Sequence, residues 1–337
     1  MTDRPTDDTV RPTWEEILNN PLTANTRPGG YGDLVEELFP VSAISRMANR
    51  MADEQRKLEA LRETSIDASD PSYDPTKDRL DRDASGDKVH LMVYPSNGRS
   101  LGANALKHYL NTDNTSCVMS NTALYRGAIL VNWGSSKQPD NTYARMFNRT
   151  DQVKLMVNRQ AQTVILGQYM PEHTTDLRRA LDWEAEGTRV FGLPPMAGKP
   201  FVSPKDLRAF LNCAVFFQIK PKTTEYRVHV AFGEIIYTQV KEFKPVDANG
   251  APVSAQGDPD IWSIENGYRW VDAPQTDKDV EQVALAAFSK SGLDYGAFNI
   301  MAGEGVYLYE VVTAPALQST GLTKAYGEAI LKALDIT

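Results

Sequence analysis

The feature that most constrains this chain is residues 291–317, which read SGLDYGAFNIMAGEGVYLYEVVTAPAL. The segment predicts two strands joined by a glycine-containing turn at 302–305, which is the sequence signature of a β-hairpin. Because side chains alternate between the faces of a strand, Glu310 and Val312 point to the same side, and Asn299 on the preceding strand can face them. Carboxylate and amide oxygens so arranged are the ligands of hard cations such as Mg²⁺. The hairpin therefore predicts a sheet with a candidate metal site on one face.

Composition sets the broad class of the chain. Its 337 residues are enough for one large or two modest domains with a sizeable core. Hydrophobic residues make up 41%, slightly less than in typical globular proteins, which predicts that part of the chain is not packed. No apolar run has membrane-spanning length and the first residues, MTDRPTDD, are polar, so we expect no membrane partner and no signal peptide. Cys117 and Cys213 are too few for a disulfide framework and predict buried, reduced thiols in a cytosolic protein.

The net charge of −8 is concentrated at the N-terminus. Residues 1–87 hold 19 acidic and 11 basic side chains, whereas residues 88–337 hold 25 of each and are formally neutral. An acidic segment on a neutral body lacks the basic surface of a general nucleic-acid binder. We therefore expect no nucleic-acid partner.

Residues 1–87 predict an extended arm rather than a domain, because prolines interrupt them and residues 67–87 have little to bury. One amphipathic helix is predicted at 41–64. Its apolar positions follow 3-4 spacing, at Ile44, Met47, Met51, Leu58 and Leu61. The stripe is too short for a coiled coil that is stable alone. We therefore expect this helix to dock on the body or on a protein partner.

From residue 88 onward the pattern is that of a folded body. A strand at 89–94, a helix at 99–110 and a strand at 128–133 predict a βαβ layer, with the loop VNWGSS (131–136) at a strand end where such sheets bind ligands. Further helices are predicted at 150–158, 171–187, 205–212, 276–291 and 322–334, and further strands at 189–193, 215–220, 220–230, 234–244 and 261–271. The predicted N-caps are Thr150, Thr174 or Thr175, and Ser203.

Two neighbouring strands carry the candidate cations. In EYRVHV (225–230), Glu225, Arg227 and His229 share one face, and Lys241 lies on the strand that follows. A planar guanidinium such as that of Arg227 is suited to bidentate contacts with phosphate or carboxylate oxygens. The alternative is an amphipathic surface hairpin whose cations are solvated. For His229 the pattern favours a hydrogen-bonded sheet residue over a catalyst.

Four motifs together resemble the ATP-grasp domain, in particular the short ATP-grasp proteins encoded by bacteriophages. That family typically reads INWG, EYRVHV, GLDFGAVD and YVLEVNTAPGL where this chain has VNWG (131–134), EYRVHV (225–230), GLDYGAFN (292–299) and YLYEVVTAPAL (307–317). The resemblance covers roughly residues 88–317. It implies an α+β chain with the ATP-grasp fold, in which a small pre-grasp βαβ domain (88–140) and an ATP-grasp-like domain (141–337) follow the extended, partly helical N-terminal arm (1–87).

The resemblance also implies ATP and Mg²⁺ as cofactors and assigns roles to particular residues. Arg227 and Lys241 become the catalytic cations that contact phosphate or substrate. The nucleotide-binding candidates are Arg159 (lysine in phage relatives), Lys199 and Lys220. The metal candidates are Glu310, which matches the family, and Asn299, which stands where the family has Asp.

Two features depart from that pattern. Val312 stands where the family has Asn, and the loop at 194–204 has a single glycine and prolines at 194, 195 and 200 in place of several glycines. Backbone N–H groups approach phosphate most closely where side chains are absent, so Gly198-Lys199 predicts a plain turn.

Two functional classes follow. In the first, the chain is a degenerate, phage-encoded ATP-grasp protein that acts as a binding or assembly module with weak or lost nucleotide use. In the second, it is an active ligase that activates a carboxylate as an acylphosphate for attack by an amine. A protein partner, including components of a phage particle, is expected on the N-terminal arm. Oligomer formation stays open, and the expected location is the cytoplasm of the host cell or the virion.

Overall fold

A computed structural model describes residues 88–121, 127–139, 143–196, 201–244, 262–263, 266–273 and 276–336. The N-terminal arm with its predicted helix, and Lys199 with its loop, lie outside the described residues. The chain divides into two units, and the one treated below comprises residues 74–180 and 189–337. Residues 181–188 belong to the other unit and are described only as the last part of one helix and the residues after it.

The first sheet is parallel and has four strands. They are β1 (Val89–Pro95), β2 (Thr115–Met119), β3 (Ile129–Trp133) and β4 (Arg145–Phe147), in the order β2-β1-β3-β4. Helix α1 (Leu101–Tyr109) connects β1 to β2 and begins where the Ser100 hydroxyl accepts a hydrogen bond from the Ala103 amide. The predicted strand, helix and strand are present, but β2 was not predicted, because its sequence TSCVM is short and partly polar.

The central sheet is antiparallel and has five strands, in the order β10-β9-β8-β11-β12. Its strands are β8 (Lys222–Ala231), β9 (Glu234–Phe243), β10 (Tyr268–Asp272), β11 (Tyr295–Gly303) and β12 (Val306–Val312). The predicted hairpin is confirmed as β11 and β12, and β11 also pairs with β8. A register shift between Asn299 and Ile300 leaves Asn299 opposite Glu310. The central sheet therefore places Arg227, Asn299 and Glu310 side by side on three neighbouring strands.

A third sheet is small and antiparallel. It consists of β5 (His173–Thr174), β6 (Val190–Leu193) and β7 (Val215–Gln218), in the order β5-β7-β6. The helices of this region are α2 (Thr150–Val157), α3 (Arg159–Leu166), α4 (Leu177–Ala185) and α5 (Leu207–Phe210), with a single 3₁₀ turn at Gly167–Tyr169.

Two longer helices cover the central sheet. Helix α6 (Lys278–Ser291) buries its predicted apolar stripe, including Val280, Ala284 and Ala287, against the strands of the hairpin. It ends at Gly292, whose φ of 67° lies in the left-handed region that glycine adopts without strain. Helix α7 (Thr320–Lys332) begins at the Ser319 cap and packs on β8 and β9. No described helix has both the length and the apolar character needed to cross a membrane.

Three predicted helix starts are wrong. Thr150 is the first residue of α2, not its cap, because Arg149 precedes it and the Thr150 hydroxyl faces the side chain of Gln138 instead. Thr174 lies in β5, and α4 begins only at Leu177. In α5 the Asp206 carboxylate, rather than Ser203, accepts the hydrogen bond from the Ala209 amide, at 3.2 Å. In each case a neighbouring residue competes for the same role, and the sequence pattern does not rank the two.

Candidate functional site

Charged and amide side chains gather on one face of the central sheet. Arg227 on β8 lies directly opposite Asn299 on β11, which lies opposite Glu310 on β12. Glu225 shares the face of Arg227 by strand alternation, as predicted, and Lys241 on β9 reaches Glu225. We call this group, together with Arg159 from α3 and Lys222, the central polar cluster.

Glu310 is held by two donors. Arg159 Nη2 donates to Glu310 Oε1 at 2.5 Å, and Asn299 Nδ2 donates to Glu310 Oε2 at 2.8 Å. The Arg159 side chain is 2% exposed and that of Glu310 is 18% exposed. Both carboxylate oxygens are therefore engaged, one of them in a largely buried ion pair.

Arg159 reaches Glu310 because of how helix α3 begins. The Asn158 side chain caps the helix by accepting from the Ala161 amide at 3.1 Å, and the Arg159 amide donates to the Pro195 carbonyl at 3.0 Å. Arg159 Nη1 lies 3.3 Å from Gln162 Oε1. Its Nε atom is buried and has no hydrogen-bond partner in the described part of the chain. The guanidinium is therefore committed to the interior, where its ionic partner is Glu310.

Arg227 has an amide, not a carboxylate, as its hydrogen-bond partner. Its Nε atom donates to Asn299 Oδ1 at 2.7 Å, and its guanidinium carbon lies 4.3 Å from the centre of the Trp270 ring. Burial lowers the pKa of Arg227, and the charges of Glu310 and Glu225 oppose that shift. Within the described residues no hydrogen bond is recorded for its two Nη atoms.

Glu225 is the counter-ion of two lysines. Its Oε2 lies 3.0 Å from Lys222 Nζ, and its Oε1 is in close contact with Lys241 Nζ and with the Tyr309 hydroxyl. Burial lowers the pKa of Lys241, and the charge of Glu225 opposes the shift. Glu225 is the residue that sequence reasoning did not assign to the site, although its spacing of two from Arg227 was the signal.

The other predicted residues have different positions. Lys220 follows β7 and its Nζ donates to Gln218 Oε1 at 3.0 Å, with no described contact to the central polar cluster. His229 is buried, with Nδ1 3.0 Å from the Tyr326 hydroxyl and Nε2 3.2 Å from Gln239 Oε1. The prediction of a structural, hydrogen-bonded histidine is confirmed. Cys117 and Cys213 are buried and unbonded, also as predicted, and burial raises the pKa of each to about 12.

The cluster does not fit a magnesium ion. Both oxygens of Glu310 already accept hydrogen bonds, Asn299 Oδ1 accepts from Arg227, and Val312 has no side-chain oxygen. Magnesium requires near-octahedral oxygen ligands and gives up its waters reluctantly. In the described ranges no group of three or more His, Cys, Asp or Glu side chains could hold a metal ion.

Solved structures share this fold. The ATP-grasp ligase PsnB with its minimal precursor is 13% identical, with a TM-score of 0.52 over 73% of this chain and 99% of that chain. D-alanine–D-alanine ligase from Bacillus anthracis is 12% identical, with a TM-score of 0.52 over 74% and 99%. The macrocyclase MdnC with precursor peptide MdnA from Microcystis aeruginosa is 12% identical, with a TM-score of 0.51 over 72% and 100%. No protein-family model and no curated protein sequence matches the chain. The predicted mixed α and β architecture with the ATP-grasp fold is confirmed.

Proposed function

We propose that this chain is a degenerate ATP-grasp protein, a binding or assembly module in which the use of ATP and Mg²⁺ is weak or lost. One observation carries the proposal: the single carboxylate kept from the family's metal motif, Glu310, is paired with Arg159 and Asn299. A phage origin is supported by the motif resemblance and is part of the same proposal. Its location would then be the cytoplasm of the host cell or the virion.

Energetics favour this function over metal-dependent chemistry. To coordinate a metal, Glu310 would have to release Arg159, whose side chain is 2% exposed. Removing one partner of a buried ion pair costs about 3–5 kcal/mol, because the remaining charge stays desolvated. Asn299 would contribute no negative charge and Val312 no oxygen to offset that cost.

Thermal unfolding of the full-length protein tests the proposal. A ligand that binds the native state raises the melting temperature by mass action. We expect saturating ATP with Mg²⁺ to give no higher melting temperature than the same ATP with a chelator. A magnesium-dependent rise of several degrees would contradict the proposal.

The partner of this module would bind the N-terminal arm. Residues 1–87 carry the whole net charge of −8 and a single apolar stripe, so the arm should order only against another surface. Met47→Asp with Leu58→Asp in the full-length chain should abolish co-purification with the native particle or complex, and added salt should weaken it. Asn49→Asp with Ala52→Asp, which adds the same charge away from the stripe, is the matched control. Retention of the partner by the first pair would contradict this role for the arm.

A second candidate is the active ligase. It is favoured by the placement of Arg227, Lys241 and Glu310 on one sheet in a fold shared with PsnB, whose structure has been solved with Mg and ADP. In that case ATP and Mg²⁺ would serve to activate a carboxylate as an acylphosphate for attack by an amine. Glu310→Gln and Arg227→Ala should each abolish turnover while the fold persists. Full activity in either variant would remove this mechanism.

A further inference from the structure

We infer that the central polar cluster binds a phosphate-bearing dianion without a divalent cation, with Arg159 supplying beside Glu310 the positive charge that a metal would otherwise provide. The inference rests on the proposed function, because it requires a site that does not use Mg²⁺. It adds to that function a class of ligand.

The charges of the cluster are unbalanced. Arg159, Lys222, Arg227 and Lys241 face only two carboxylates, those of Glu225 and Glu310. Glu310 compensates Arg159, and Glu225 compensates one of the two lysines that contact it. Arg227 and one lysine therefore form a surplus of two positive charges. Burying uncompensated charge is costly, so a ligand with two negative charges would be stabilised there.

Asn299 is the residue that creates the surplus at Arg227. A carboxylate at this position would neutralise the guanidinium, whereas the amide accepts its Nε–H without a charge. The amide also donates to Glu310, so its orientation is fixed from both sides. Asn299 therefore orients Arg227 and leaves its positive charge for a ligand.

The geometry matches phosphate oxygens. Arg227 and Lys241 lie together over the Trp270 ring, with the guanidinium carbon at 4.3 Å and Nζ at 4.7 Å from the ring centre. A guanidinium held through Nε can present its two Nη groups to two oxygens of one phosphate. A lysine beside it adds a compact point charge. Contact with an aromatic ring orients both groups without neutralising them.

Calorimetric titration of the full-length protein with inorganic pyrophosphate tests the inference, in parallel arms with EDTA and with Mg²⁺. We expect binding in EDTA that Mg²⁺ does not strengthen. A third arm with ATP in EDTA identifies the source of the phosphate. Equal or tighter binding of ATP supports a nucleotide ligand, and binding of pyrophosphate alone supports an inorganic one.

Variants assign the binding to the cluster. Arg227→Met should weaken pyrophosphate binding at least tenfold, which corresponds to about 1.4 kcal/mol. Arg178→Met, which removes an exposed arginine of α4, should bind like the wild type. Asn299→Asp, which adds a carboxylate at nearly constant size, should also weaken binding tenfold or more and decides the matter if Arg227→Met does not fold.

The outcomes separate the two proposals. If pyrophosphate binds in neither arm, the inference is wrong and the proposed function stands. If pyrophosphate binds only with Mg²⁺, both are wrong. If it binds in EDTA but Arg227→Met and Asn299→Asp bind like the wild type, the anion lies elsewhere and the inference is overturned.

Discussion

Acid should destabilise this protein through His229. The side chain is fully buried on β8 between the Tyr326 hydroxyl and the Gln239 amide oxygen. Burial, with a smaller contribution from the charge of Arg227, lowers the pKa of His229 to about 3, although the hydrogen bond to Gln239 opposes the shift. The histidine therefore stays neutral in the folded protein at mildly acidic pH.

The sign of the effect follows from the two pKa values. The unfolded histidine titrates near 6.5 and the folded one near 3, so between them the unfolded chain binds a proton that the folded chain does not. This contribution to stability is complete above pH 6.5 and is lost as the pH falls toward 3. Within the window each pH unit costs about 1.4 kcal/mol, so lowering the pH from about 7 to about 4.5 costs about 2.5 kcal/mol.

Denaturant unfolding of the wild type and of His229→Gln at both pH values isolates this contribution. Carboxylates titrate in both proteins, so the difference between their free energies of unfolding reports the histidine alone. We expect the wild type to lose about 2.5 kcal/mol more than His229→Gln between pH 7 and pH 4.5. His108→Gln, at an exposed position of α1, is the control and should follow the wild type. Parallel losses in the wild type and His229→Gln would refute the reasoning.

Two further predictions concern packing. Asn148 has a φ of 55°, and its side chain bonds two amides and one carbonyl at the entry to β11, so Asn148→Ala should cost about 3 kcal/mol or more in chemical unfolding. Asn148→Gly should cost about 1 kcal/mol less because glycine adopts this φ without strain, and equal losses would contradict that explanation. A Cβ on Gly327 of α7 would overlap the Tyr109 ring of α1, so Gly327→Ala should destabilise by about 1–2 kcal/mol. The exposed Glu328→Ala should be neutral, and a stable Gly327→Ala would show that the two helices do not pack closely.

The sequence was informative where the pattern is local. Strict alternation in EYRVHV placed Glu225, Arg227 and His229 on one face, and the glycine turn at 302–305 fixed the hairpin. The end of α6 at Gly292 followed from the same kind of signal. These features depend on residues within a few positions of each other, so periodicity is enough to predict them.

The site itself depends on distant contacts. Arg159 and Glu310 are separated by 151 residues, and no local pattern indicates that the start of α3 would neutralise the hairpin's carboxylate. The register shift after Asn299, which sets it opposite Glu310, likewise has no turn or glycine signal. From the motifs alone Glu310 was therefore a free metal ligand, whereas its pairing with Arg159 is a property of the tertiary structure.

Metal binding tests the central claim most directly. Mn²⁺ can replace Mg²⁺ at oxygen sites, and free and protein-bound Mn²⁺ give distinct electron paramagnetic resonance signals. Titrating the full-length protein into Mn²⁺ and ATP should leave the signal unchanged, whereas a variant combining Asn299→Asp, Val312→Asn and Arg159→Lys should gain bound metal. Stoichiometric Mn²⁺ binding by the wild type that disappears in Glu310→Gln would contradict the account, because Glu310 would then be a metal ligand and not the partner of Arg159.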